Sequence, residues 1–258
     1  VEFNIEKSVK FIFEDPNWLN KLVPFFIIQV IISVISFLAQ IDPFFIMLGI
    51  LILLLPLIIP YSIYLIGYRF ETMENVMQGS REPLPTHTNI GYKLKLWWYV
   101  FIISIGPVLL LILLGLILFI PMLLATIYSF EELSLIIGLM SLIVTIFIGI
   151  LFTILFLAYS ITVYPAMLYI FFQTRSINEA YTLSNILSVL STSWKDFLLM
   201  YLIVYAITMI GRFIGLLSWF ALMGWLVTPI INTIVSFIQF YILGDVFRQL
   251  SAKEVLFK

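Results

Sequence analysis

At 258 residues, with 63% hydrophobic and 10% charged side chains and a mean hydropathy of +1.16, the chain is too apolar for a soluble domain of its length. A net charge of −1 excludes a generally basic nucleic-acid binder, and the absence of cysteine excludes disulfides, thiol catalysis and thiolate metal sites. The apolar runs are long and lack period-two alternation. Several reach the ~20 residues a spanning helix requires, so helices rather than a β-barrel satisfy the backbone in lipid.

The fold class that follows is all-α: a polytopic membrane helical bundle, one integral-membrane domain over 1–258, with about six transmembrane helices as three hairpins plus interfacial amphipathic helices. The polar, mixed-charge start is not read as a cleavable signal peptide. Residues 3–14 carry Ile5, Val9, Ile12 and Phe13 on one side and Glu6, Lys7, Lys10 and Glu14 on the other, the pattern of a helix in the membrane interface. Asp15-Pro16-Asn17-Trp18 ends it, because proline disfavours helix in the residue before it and fits a new helix start. The first spanning helix is predicted over 22–41. Asp42-Pro43 turns the chain into a second, over 44–68, with Pro56 and Pro60 as kinks and Arg69 to Gln78 as a polar tail. A Gly/Pro loop over 79–86 follows. Lys93, Lys95, Trp97 and Trp98 then anchor a third helix over 99–126. The fourth spans 133–160 and bends near Pro165. Ser176-Ile177-Asn178-Glu179 has the form of a capping box, starting an interfacial helix over 176–191 with Ile177, Tyr181, Ile186 and Leu190 inward. Helices over 197–217 and 221–243 and a short polar tail from Asp245 complete the bundle.

Polar residues recur at helical spacing along three of these spans. Gln29, Ser33, Ser36 and Gln40 are spaced four, three, four; Tyr201, Tyr205, Thr208 and Arg212 four, three, four; Thr228, Asn232, Ser236 and Gln239 four, four, three. Each set lies on one face and predicts an inner seam. Arg212 is the charge inside a hydrophobic run, and an intramembrane ionisable residue marks a candidate site. It follows Trp194 by eighteen residues, about 27 Å of helix, which puts it in the outer third of a bilayer. It either snorkels to the outer headgroups or contacts an anion, a lipid headgroup, or a carboxylate of Asp42, Glu131 or Glu132. The seams have a plainer use as well, since Ser, Thr, Asn and Gln join membrane helices by hydrogen bonds, and Gly211 and Gly215 form a GxxxG match.

Lysine and arginine give the orientation. Lys7, Lys10, Lys21, Arg69, Arg81, Lys93, Lys95, Arg175, Lys195, Arg248, Lys253 and Lys258 fall on the side of the termini, whereas the opposite loops hold Asp42, Glu131 and Glu132. The positive-inside rule puts both termini in the cytoplasm.

Catalytic, cofactor-binding and metal-binding motifs are not found: there is no His-Glu-x-x-His, Gly-x-Ser-x-Gly or Walker loop, and the lone His87, in a Pro-flanked loop, reads as solvated. At Phe13-Glu14-Asp15-Pro16-Asn17-Trp18, with Gly79 before Leu84-Pro85 and Asn89-Ile90-Gly91, the sequence resembles a prokaryotic family known as domain of unknown function 4013. The loop departs from the family's Leu-Pro-Glu-Trp by carrying Thr86 and His87. The resemblance implies a six-helix archaeal or bacterial inner-membrane protein and supplies no activity.

Two functions are carried forward. One is a non-enzymatic multi-pass inner-membrane scaffold, accessory subunit or assembly factor binding lipid or a membrane partner. The other is a transporter or lipid-handling permease that uses the seam. The candidate residues are Gln29, Ser33, Ser36, Gln40, Tyr205, Thr208, Arg212, Thr228, Asn232 and Gln239. The expected partners are membrane lipids, with another membrane protein as a second candidate, and neither nucleic acid nor a cofactor is expected.

Overall fold

Asp15 sets the first corner of the chain. In the computed structural model, which describes residues 2–41, 55–132, 135–220 and 223–253, helix α1 (Ile5–Glu14) stops there and α2 (Trp18–Ile41) leaves at 94°. Asp15 Oδ1 accepts from the Asn17 backbone N–H at 2.9 Å and Oδ2 from Lys21 Nζ at 2.7 Å, with both side chains removed from solvent. Phe13 and Trp18 close the outside of the turn edge to face, 5.2 Å apart. Helix α1 is capped by Asn4, whose Oδ1 accepts from the Lys7 N–H. It buries Ser8, Phe11 and Ile12 and leaves Ile5, Val9 and Phe13 exposed. Thus the predicted apolar face splits: Ile12 packs inward, and the other three form a free stripe.

The remaining helices are α3 (Leu55–Met77), α4 (Ile90–Glu132), α5 (Leu135–Ala158), a π-helical turn (Tyr159–Val163), α6 (Tyr164–Thr174), α7 (Ile177–Tyr181), α8 (Leu183–Phe220) and α9 (Gly224–Ala252). No strand occurs among the described residues. Several predicted boundaries move. Of the second predicted helix, 44–54 lies outside the described residues. Its supposed polar tail is helix as far as Met77, because Thr72 and Glu74 are buried and Glu71 and Glu74 find partners. The third helix starts at Ile90 rather than 99 and runs 43 residues. Residues 133 and 134 lie outside the described residues. The predicted bend near Pro165 is instead a π turn running into α6, which takes up the proline's missing N–H in its first turn without ending the helical path. The predicted break between 191 and 197 is absent. It falls at Thr182, in extended backbone, and α8 then continues because nothing from 183 to 210 is Gly or Pro. Residues 221 and 222 lie outside the described residues. The supposed tail after 243 is the last two turns of α9, burying Val246, Phe247 and Leu250.

By its contacts the chain forms two compact units, Val1–Tyr99 with Lys195–Phe257, and Val100–Trp194. The first is cored where α9 packs on α3 and α2. Phe25, Tyr68 and Phe237 meet there at centroid distances of 4.8, 5.6 and 6.0 Å, and such ring pairs add roughly 0.5–1.5 kcal/mol each to simple burial. Two glycines bring backbones together: a Cβ on Gly67 would lie 2.1 Å from the Lys93 carbonyl oxygen, and one on Gly244 2.4 Å from that of Met73. Helix α3 is therefore held against α4 on one side and α9 on another.

In the second unit α6 is the buried element, from Pro165 to Phe172. Ser176 accepts from the Glu179 N–H as the capping box predicts, but the return bond is absent. Glu179 Oε2 instead accepts from Asn185 Nδ2 at 2.6 Å, and the Ser176 N–H goes to Thr174. Of the residues predicted inward, Ile186 is buried, whereas Tyr181 is exposed and donates its hydroxyl to the Ile102 carbonyl at 2.6 Å. Helix α5 shows Ile143, Phe147, Ile150 and Ile154 outward, an apolar surface fit for lipid. Among the described residues, the stretches Leu142–Thr174, Leu183–Trp219 and Leu226–Ala252 are long and apolar enough to cross a membrane, with the bent α1–α2 pair as a fourth.

Candidate functional site: a polar groove between α8 and α9

Gly211 and Gly215 let α8 and α9 approach closely. Both are buried, and a Cβ would come within 2.6 Å of Val235 at the first and 3.2 Å of Thr228 at the second. Further along, Gly224 sits under the Trp219 ring. The GxxxG match thus has the packing role read from sequence. Beside this seam the helices leave a groove of about 430 Å³, with Thr208, Arg212 and Trp219 on one wall and Thr228, Asn232 and Gln239 on the other.

One end is closed by a hydrogen-bonded pair. Gln239 Nε2 donates to Thr208 Oγ1 at 2.7 Å, and that hydroxyl donates to the Val204 carbonyl. Toward the other end Ser218 and Thr228 both turn to the Gly215 carbonyl, at 2.6 and 3.3 Å. Between these ends stand Arg212 and Asn232, both exposed, and neither has a hydrogen-bond or ion-pair partner among the described residues. A guanidinium offers five donors in a planar fork and an amide adds two more, so the middle of the groove is a set of unanswered donors. Trp219, Leu216 and Val235 give the same groove apolar walls.

Five of the predicted residues, Thr208, Arg212, Thr228, Asn232 and Gln239, therefore line one groove. Tyr205 does not. It is half exposed and stacks on Tyr201 at 6.5 Å. Nor do Gln29 and Ser33 of α2. The side chains of Ser36 and Gln40 lie outside the described residues, as do Asp42 and the side chains of Glu131 and Glu132 named as partners for Arg212.

Sequence reasoning missed a buried polar cluster around the 79–89 loop. His87 is half-buried and hydrogen-bonded at both ring nitrogens rather than freely solvated. Its ring lies against Phe25 and Tyr68, Nε2 is 3.0 Å from the Lys21 carbonyl oxygen, and Nδ1 is 2.8 Å from the Tyr64 hydroxyl. A carbonyl only accepts, so Nε2 carries the proton and Nδ1 accepts from Tyr64. Burial pushes the His87 pKa down; the bond to Lys21 opposes this and the Lys93 charge adds to it. Leu84 is buried and Tyr68 donates to the Pro85 carbonyl, so the Leu-Pro pair pins the loop to α3. Lys93, read as an interfacial anchor, is wholly buried. The signal for it was faint: a basic residue four positions after Asn89, which starts α4 from left-handed backbone at φ 57°. Among the described residues no group of three or more His, Asp or Glu side chains is placed to hold a metal.

Helices throughout the described residues, several of them long and apolar enough to cross a membrane, define a helical protein of membrane-compatible type. The family described as Protein of unknown function (DUF4013) matches residues 47–220, and the chain belongs to it. The match takes in the Leu84-Pro85 loop, while the Asp15-Pro16 corner lies before it. No curated protein and no solved structure matches the chain.

Proposed function

We propose that this chain is a non-enzymatic, multi-pass protein of a prokaryotic cytoplasmic membrane, crossing it six times with both termini inside, and that it binds the headgroup of an anionic lipid in the α8–α9 groove. In that role it serves as a scaffold or accessory subunit whose placement depends on lipid. The observation carrying this reading is Arg212, a guanidinium in an apolar helix with no partner among the described residues. A cation at that depth is costly unless something answers it, and a phosphodiester does so through paired, charge-assisted hydrogen bonds. The apolar walls beside it suit the chains of the same molecule. Binding is favoured over transport because α8 and α9 run unbroken past the groove, whereas transporter sites are built on interrupted helices.

The test is native mass spectrometry of the protein released from discs containing an anionic phosphodiester lipid or phosphatidylcholine alone. The reading expects retention of the anionic lipid, and Arg212→Leu should weaken it about tenfold or more, the worth of a charged hydrogen bond. Equal retention by the wild type and R212L removes the proposal.

A further inference from the structure

A second cavity lies in the same unit at the other end of α9. It measures about 220 Å³ and is lined by Lys7 and Glu14 of α1, Ser80 and Arg81 of the loop after α3, and Tyr241 and Arg248 of α9. Its floor is the stacked pair Phe11 and Tyr241, 4.3 Å apart. Arg248 is already paired with Asp245. Neither the Lys7 ammonium nor the Arg81 guanidinium has a partner among the described residues, and Glu14 is the unpaired carboxylate facing them. The loop reaches this position by a left-handed turn at Gly79, φ 73°, directly after α3 ends.

From this geometry we infer that the cavity is a binding site for a small phosphoryl-bearing anion. Lys7 and Arg81 supply the free charge, and Arg248 adds whatever donors its bond to Asp245 leaves over. Ser80 is an adaptable hydroxyl, since its present bond to the Glu82 carbonyl is an exposed one of 3.2 Å. Mixed Lys and Arg donors around an aromatic floor match a compact oxyanion with an organic substituent. Glu14 opposes the charge of the ligand and limits the site to small anions of moderate charge.

The same chemistry has two sources, a lipid headgroup or a dissolved phosphate compound, and helix geometry separates them. The cavity face of α1, at Lys7, Phe11 and Glu14, lies about half a turn from the exposed apolar stripe at Ile5, Val9 and Phe13. With α2 crossing the membrane, α1 lies in its plane at 94°, and the stripe is the side that meets lipid. The cavity therefore opens to water, and the ligand comes from solution. This step rests on the membrane placement proposed above, but not on the Arg212 groove.

Calorimetric titration of inorganic phosphate into the full chain, held in phosphatidylcholine nanodiscs at low salt, tests it. Saturable binding is expected, with Lys7→Ala and Arg81→Ala each weakening it about tenfold, the scale of one charge-assisted bond. Glu14→Gln should tighten it several-fold, a gain that a misfolded variant cannot produce. Arg212→Leu should leave it unchanged, so this site and the lipid groove fail separately. No saturable heat, wild-type affinity in K7A and R81A, or no gain in E14Q overturns the inference. So does binding that appears only when phosphatidic acid is built into the discs.

Discussion

Lys93 Nζ lies 2.9 Å from Glu71 Oε2, with the lysine side chain fully removed from solvent and the glutamate 17% exposed. The ammonium also donates to the Thr88 carbonyl at 2.7 Å and sits 5.6 Å from the Tyr68 ring centroid. One contact thus ties α3, the 79–89 loop and the start of α4. Burial raises the Glu71 pKa, and the hydrogen bond and charge of Lys93 oppose the rise.

Breaking that pair from one side should be severe. Lys93→Ala leaves an uncompensated carboxylate, and losing one partner of a buried pair costs about 3–5 kcal/mol. Lys93→Met combined with Glu71→Leu should recover most of the loss, because an apolar pair of similar volume replaces both charges. Unfolding in detergent by SDS titration measures both. A double variant as unstable as K93A would mean that the ionic contact is not what holds the corner.

The two close-approach glycines should tolerate no side chain. Gly67→Ala and Gly244→Ala each drive a methyl into a carbonyl oxygen of a neighbouring helix, and overpacking of this kind costs about 1–3 kcal/mol. Gly91 is the control, a glycine in α4 where an added methyl would meet nothing within 4 Å. There Gly→Ala should raise stability by up to about 1 kcal/mol through helix propensity alone. Melting temperatures of the three variants, in one detergent, should split in that order.

Stability should fall on mild acidification, and His87 should account for part of it. Its folded pKa lies below the ordinary 6.5, so between the two values the unfolded chain binds more protons than the folded one. The contribution of His87 is therefore complete above that ordinary value and is lost as pH falls toward the folded one. His87→Gln should flatten the melting profile over this range while lowering it at neutral pH, where the bonds to Lys21 and Tyr64 are formed. A profile in H87Q with the same slope as the wild type would exclude the residue as the source.

These three predictions fall on contacts that sequence reasoning did not foresee, and the reason is common to them. Helical period and charge asymmetry are local signals, and they gave the break at Asp15-Pro16, the apolar spans and the polar faces of α8 and α9. Arg69 to Met77 and Asp245 to Ala252 look like solvated tails by the same local rule, because a charge read alone belongs in water. Their partners are distant in sequence: Glu71 meets Lys93, Glu74 meets Tyr92, and Met73 meets Gly244. The start of α8 was misplaced for a related reason. Trp194 and Lys195 look like an anchor where a helix begins, yet the backbone is already helical from Leu183. The seam on α2 was legible as a pattern but not as a destination, since neither Gln29 nor Ser33 lines the groove.

The groove itself predicts a labelling pattern. The chain has no cysteine, so single cysteines report without background. Asn232 lines the groove and is exposed, whereas Thr233, the next residue, is 2% exposed and donates to the Pro229 carbonyl. Ile214, at 46%, is exposed on α8 but is not among the groove residues, and in a bilayer it faces acyl chains. A membrane-impermeant charged maleimide should therefore modify Asn232→Cys in intact membranes and spare Thr233→Cys and Ile214→Cys. An anionic lipid filling the groove should slow the reaction at Asn232→Cys, and Arg212→Leu in the same chain should restore its speed. Labelling of all three positions at one rate would mean that the helices separate in the membrane. Protection of all three would leave the groove dry, with Arg212 reaching past it to the headgroups.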